Sequence, residues 1–150
     1  MGLSDLGTKG LADYVRLHQR IGWWALLVFA ALGLGLESLQ GFKIAAYLDA
    51  SNETRRLMWR LAHTHGTLVA VVNILFALTL AARPPASTEG LARISGTLIA
   101  ATLLLPIGFF VGGIVVYGGD PGLGVLLVPI GGVLLLLALF WIARGVADFF

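Results

Sequence analysis

His63, His65, Glu37 and Asn73 place reactive or hydrogen-bonding chemistry inside long apolar stretches of this sequence. Histidine can carry a proton or hold a metal, a carboxylate can do either, and an amide can orient both. Such groups are expensive to place in lipid, so they are the first candidates for a site. His63 and His65 are two residues apart, which on a helix turns them about 200° from one another. They cannot chelate one ion together, since a helical zinc pair wants i, i+4 spacing. Steps of three and four from His63 meet Gly66, Ala70, Asn73, Ala77 and Ala81, a stripe that is small or polar throughout. The same steps from His65 meet Val69, Val72 and Phe76, which are bulky and apolar. Small stripes in membrane helices let another backbone or a flat ligand come close. His63 therefore heads an interior or interface face.

Ala30, Gly33, Glu37, Gln40 and Gly41 form a matching stripe one apolar run earlier, with Glu37 placed to pair with Arg56 or Arg60. Gly108 and Gly112 make a further small-residue contact beside Pro106. A flat tetrapyrrole suits these residues better than a bare metal ion. One histidine, His63, suffices as axial ligand, and His65 is the neighbouring candidate. Gly66 and Ala70 leave room for a macrocycle. Arg55, Arg56 and Arg60 offer guanidinium forks for carboxylate side groups. Each feature also has a plainer reading: an interfacial ion pair for Glu37, no ligand role for His65, an interhelical hydrogen bond for Asn73, and packing for the glycines.

The elements that position these residues follow from composition and pattern. The chain of 150 residues is 58% hydrophobic and 12% charged, with a mean hydropathy of +0.91. A domain of this size has too much surface to hide that apolar fraction from water, and lipid removes the difficulty. The expected fold is all-α: an integral membrane four-helix bundle, one domain over 1–150, with spans near 21–40, 57–82, 91–117 and 123–143. Leu3, Leu6, Leu11, Tyr14, Val15 and Leu17 predict a separate short amphipathic helix over residues 1–20, lying at the interface. The first apolar run, from Ile21, exceeds a cleavable signal core and reads as a retained helix. Asp49, Ser51 and Asn52 precede the second helix as possible caps, and that helix should run from about Glu53 to Ala82. Pro106 should kink the third helix, and Tyr117 to Gly122 should turn tightly.

Four crossings gather Glu37, Gln40, Tyr47, Asp49, Arg55, Arg56, Arg60, His63, His65, Tyr117 and Asp120 towards one membrane face. His18 falls at the opposite face, so within one chain it cannot share a ligand set with His63. Six basic residues on the side of the N-terminus against four on the other favour a cytoplasmic N-terminus. The absence of cysteine excludes disulfides, thiolate metal sites and covalent haem attachment. A net charge of +2, dispersed along the chain, leaves no nucleic-acid footprint.

Ala62-His63-Thr64-His65-Gly66, after the basic segment Asn52 to Arg60, resembles the Ala-His-x-x-Gly pattern of bacterial hydroxylaminobenzene mutases and the Ala-His segment of styrene-oxide isomerases. Gly41-Phe42-Lys43-Ile44 and Gly108-Phe109-Phe110 are similar to short segments of the latter. The resemblance implies a small four-span membrane isomerase: a homo-oligomer, a trimer, holding haem b at subunit contacts with His63 as axial ligand. Ferric iron would act as a Lewis acid on a small lipophilic substrate. Asn73 and Glu37 are then the candidate catalytic side chains. The isomerases place an asparagine about two turns after the histidine, where this chain has Leu68 to Val71, and a tyrosine where it has Phe110. A non-catalytic b-type haem protein for electron transfer or ligand sensing stands as the alternative, as does a cofactor-free scaffold or assembly subunit. The glutathione-using membrane transferases share the Arg60-Leu61-Ala62 opening but not the asparagine and glutamate that follow it.

Overall fold

The computed structural model describes residues 10–85 and 88–147. Its long helices are α1 (Leu11–Gly41), α3 (Glu53–Ala82), α4 (Leu91–Gly112) and α5 (Leu127–Ala147), with a four-residue helix α2 (Ala45–Leu48) before α3. Among the described residues, four helical segments are long and apolar enough to cross a membrane. The protein is an all-α integral membrane bundle of four helices.

The expected interfacial helix does not stand apart. From Leu11 onward the chain is already α1, and Tyr14 and His18 are buried. No proline or glycine between Leu11 and Ile21 breaks the helix, and the inward face of the first turns continues the packing of the rest. The Gly10 N–H donates to the Asp13 carboxylate at 3.0 Å, which closes the start of the helix. Leu3 and Leu6 lie outside the described residues. At 31 residues α1 is about 46 Å long against a hydrocarbon core of about 30 Å, so it must tilt or project beyond it.

α3 begins and ends where the sequence predicts, its end set by the Pro84-Pro85 pair just beyond Arg83. α4 runs through Pro106 and stops at Gly112, five residues before the predicted boundary. There the Gly113 N–H is shared between the Phe109 and Phe110 carbonyls, at 3.1 Å each. The chain then forms a small antiparallel hairpin, Val116–Tyr117 against Asp120–Pro121. Gly118 and Gly119 take φ of 57° and 98° in its turn, a backbone that suits a two-residue glycine turn. Pro129 falls in the first turn of α5, where its missing N–H costs nothing.

The helices stand in a row. α1 packs on α3, α3 on α4, and α4 on α5, while α1 and α5 form the two ends. Only 17% of the apolar window of each end segment is buried inside the protein, against 39% and 44% for the α3 and α4 segments. The core gathers Val69, Phe76, Leu98, Ala101 and Leu105 of the inner helices with Ala138 of α5. Gly131 lets the α5 backbone come against that of Leu105, an approach a side chain would block.

Candidate functional site

α1 and α3 run antiparallel, and the register of that pair decides which side chains meet. Where the end of α1 faces the start of α3, a cavity of about 470 Å³ opens. It is lined by Gly33, Leu36, Glu37, Gln40, Tyr47, Arg60, His63 and Thr64. The predicted gathering of Glu37, Gln40, Tyr47, Arg60 and His63 is therefore realised. Glu37 and Arg60 line the same cavity without an ion pair between them.

His63 owes its orientation to Gly33. Its Nδ1–H donates to the Phe29 carbonyl at 2.7 Å, reaching across to a backbone oxygen of α1. That oxygen belongs to the residue four before Gly33, so a side chain at position 33 would stand in the path. A Cβ there would collide with the imidazole. A carbonyl can only accept, so Nδ1 carries the proton and the neutral ring keeps its lone pair on Nε2. This is the arrangement of a histidine prepared to bind a metal or take a proton.

The small stripe below His63 faces α1. The Phe29 ring fills the space that the missing side chain of Gly66 leaves, and Ala70 is fully buried, its carbonyl against Gly22. Gly66 and Ala70 therefore do not offer a flat ligand an open face within the chain, contrary to the prediction, because α1 already occupies it. His65 points the other way, as the two-residue spacing requires. Its Nδ1–H donates to the Leu61 carbonyl at 2.9 Å and its ring lies 4.8 Å from that of Phe109 on α4.

Two of the three arginines are committed elsewhere. Arg55 donates to the Gly113 carbonyl at 3.0 Å and to Asn52 at 2.6 Å, tying α3 to the end of α4. Arg56 donates to the carbonyls of Tyr47 and Asp49 at 2.8 and 2.7 Å, closing the connector before α3. Neither lines the cavity, contrary to the expectation that both would reach ligand carboxylates, because Gly113, Asn52, Tyr47 and Asp49 take their donors. Asp49 accepts from the hydroxyl and N–H of Ser51, which holds its carboxyl below the ordinary range. Arg60 remains directed at the cavity.

Asn73 does not join His63. Ten residues further along α3, about 15 Å by the helical rise, it sits in a second polar centre at 0% exposure beside His18. His18 Nδ1–H donates to Asn73 Oδ1 at 2.7 Å, and His18 Nε2 lies 2.9 Å from the Ser95 hydroxyl. The Asn73 amide donates to the Val69 carbonyl and to Thr102 Oγ1, both at 2.8 Å. Thr102 in turn donates to the Leu98 carbonyl at 2.7 Å. With Asn73 Nδ2 aimed at a carbonyl, Oδ1 must accept, so Nδ1 of His18 is the protonated nitrogen and Ser95 donates to Nε2. Every polar atom of this clasp between α1, α3 and α4 is partnered, which is the plain interhelical reading of Asn73. His18, Ser95 and Thr102 escape a reading of single helices. The available signal is that Ser95 and Thr102 lie seven apart, on one face of α4.

A tetrapyrrole can be tested against this geometry. His63 would fit as the ligand to such a group's iron, because its Nδ1–H is anchored and its Nε2 is left as the donor atom. Arg60 fits a carboxylate partner in the same cavity. A bare ion held by several side chains fits less well: among the described residues no three His, Cys, Asp or Glu side chains come together. Compared with known proteins, the chain matches no family model, no curated protein and no solved structure.

Proposed function

We propose that the protein is a membrane-embedded haem b protein of the small-isomerase type, with the cavity between α1 and α3 as its site. The observation that carries this reading is the bond from His63 Nδ1–H to the Phe29 carbonyl, beside a cavity that also receives Glu37 and Arg60. His63 would hold the iron through Nε2, and Arg60 would take a carboxylate side group by its fork. Bound there, the ferric group supplies a Lewis acid for internal rearrangement of a small lipophilic substrate, with no net redox change. The Phe29 carbonyl keeps His63 in one tautomer and one orientation. Glu37 can hold or release a proton at its carboxylate within the same cavity, and Leu36 keeps part of the wall apolar. The reading includes a homo-oligomer, a trimer by the resemblance, in a bacterial inner membrane with the N-terminus cytoplasmic.

The fate of the other histidines favours this over an electron carrier. A low-spin carrier wants two axial ligands. His65 is turned to Phe109 and His18 is held by Asn73 and Ser95, so neither faces His63 within the chain. The absorption spectrum of detergent-purified protein from haem-replete cells tests the proposal. A Soret band is expected, lost in His63→Ala and kept in His65→Ala, with the high-spin ferric signature of haem held by one histidine. Colourless protein, or a band that survives His63→Ala, overturns it.

A further inference from the structure

At the opposite membrane face, the start of α4 meets the end of α5 and leaves a cleft of about 200 Å³. It is lined by Gly90, Arg93, Ile94, Trp141, Arg144 and Gly145. Two guanidinium groups share this small space, and no carboxylate is among the described residues that line it. The Arg93 guanidinium lies 5.7 Å from the centroid of the Trp141 ring, which holds it in place over an aromatic face. Guanidinium forks match the oxygens of a phosphodiester, and tryptophan favours the headgroup level of a bilayer.

A second observation separates a lipid from a free anion. From Arg144, steps of four, seven and eleven back along α5 reach Phe140, Leu137 and Val133, on the same side of the helix. These residues are exposed at 58%, 39% and 56% in spite of their apolar side chains. The cationic cleft thus continues into an apolar track that descends into the bilayer. A headgroup on the arginines with an acyl chain along that track fills both parts, whereas inorganic phosphate fills only one.

We propose that the Arg93–Trp141–Arg144 cleft is a binding site for the phosphodiester headgroup of an anionic phospholipid, whose acyl chain lies along Phe140, Leu137 and Val133. Basic pockets between membrane helices bind such headgroups, and each arginine near the surface contributes roughly a fivefold gain in affinity. The site is independent of the cavity at His63, which opens at the other membrane face.

The full chain, purified in detergent, is titrated by native mass spectrometry with phosphatidylglycerol, with phosphatidylcholine of the same acyl chains, and with inorganic phosphate. Phosphatidylglycerol should bind about tenfold or more tighter than phosphatidylcholine, and inorganic phosphate should not displace it. R93Q/R144Q should weaken phosphatidylglycerol about 30-fold, and R144Q alone, which leaves the Arg93–Trp141 stack intact, about fivefold. Arg20→Gln, on the same membrane face but at the other end of the helix row, should leave binding unchanged. Equal binding of the two lipids, or no loss in R144Q, overturns the proposal. Displacement by inorganic phosphate identifies a soluble-anion site and overturns it equally.

Discussion

A missing methyl group on α1 gives His63 its orientation. Gly33 leaves the imidazole free to lie against the helix backbone and bond to the Phe29 carbonyl, while Phe29 itself fills the space at Gly66. The two glycines make reciprocal contacts, each receiving a ring from the opposite helix. Gly33→Ala adds a Cβ where the imidazole now sits, and overpacking of this kind costs about 1–3 kcal/mol. The expected outcome is a protein that keeps its helical circular dichroism, melts at a lower temperature and, on the proposed function, loses most of its Soret absorbance. Full haem occupancy in Gly33→Ala would show that the Phe29 bond does not prepare the ligand.

At the scale of elements, α3 presents two polar stations to its neighbours. His63 faces the cavity beside α1, and Asn73 joins α1 to α4 through His18 and Thr102. They lie about three helical turns apart, so their effects should separate. Asn73→Ala leaves His18 Nδ1–H and Thr102 without their partner and should lower stability by about 1–2 kcal/mol. The same change should leave the Soret band in place. A double-mutant cycle with His18→Ala should show coupling, since the two residues share one bond. Loss of haem in Asn73→Ala, with unaltered thermal stability, would instead return Asn73 to the functional site.

The whole molecule is a row of helices whose two ends, α1 and α5, are covered by little of the chain itself. Lipid, or another copy of the chain, must cover the exposed Trp23, Trp24, Leu27 and Leu34 of α1 and the Leu136 and Phe140 of α5. The two polar sites fall at opposite faces of this row, the cavity where α1 ends and the arginine cleft where α5 ends. Four crossings return the chain to the side from which it started. Reporter fusions just before Leu11 and just after Ala147 should therefore report the same side of the membrane, and fusions in the hairpin at Gly118 the other. Opposite readings from the two ends would mean that one of the four helices does not cross.

Hydrophobic patterning alone pointed to a membrane bundle of four helices, while the polar residues before Glu53 and the Pro84-Pro85 pair marked where α3 begins and ends. Lipid leaves the backbone no partner but itself, and so allows few solutions to such a pattern. Helical phase likewise separated His63 from His65, because a two-residue step reverses direction whatever surrounds it. Only the tertiary structure decided what each face meets. The stripe of Gly66 and Ala70 could have admitted a ligand or a helix, and Phe29 on α1 occupies it. Arg55 and Arg56 could have served a ligand, yet the Gly113 carbonyl at the end of α4 and the Tyr47 carbonyl of α2 take their donors. His18 and Asn73, 55 residues apart in sequence, meet through the register of two antiparallel helices. That register is set by glycines and aromatic rings packing across the contact, which no periodicity within one helix records.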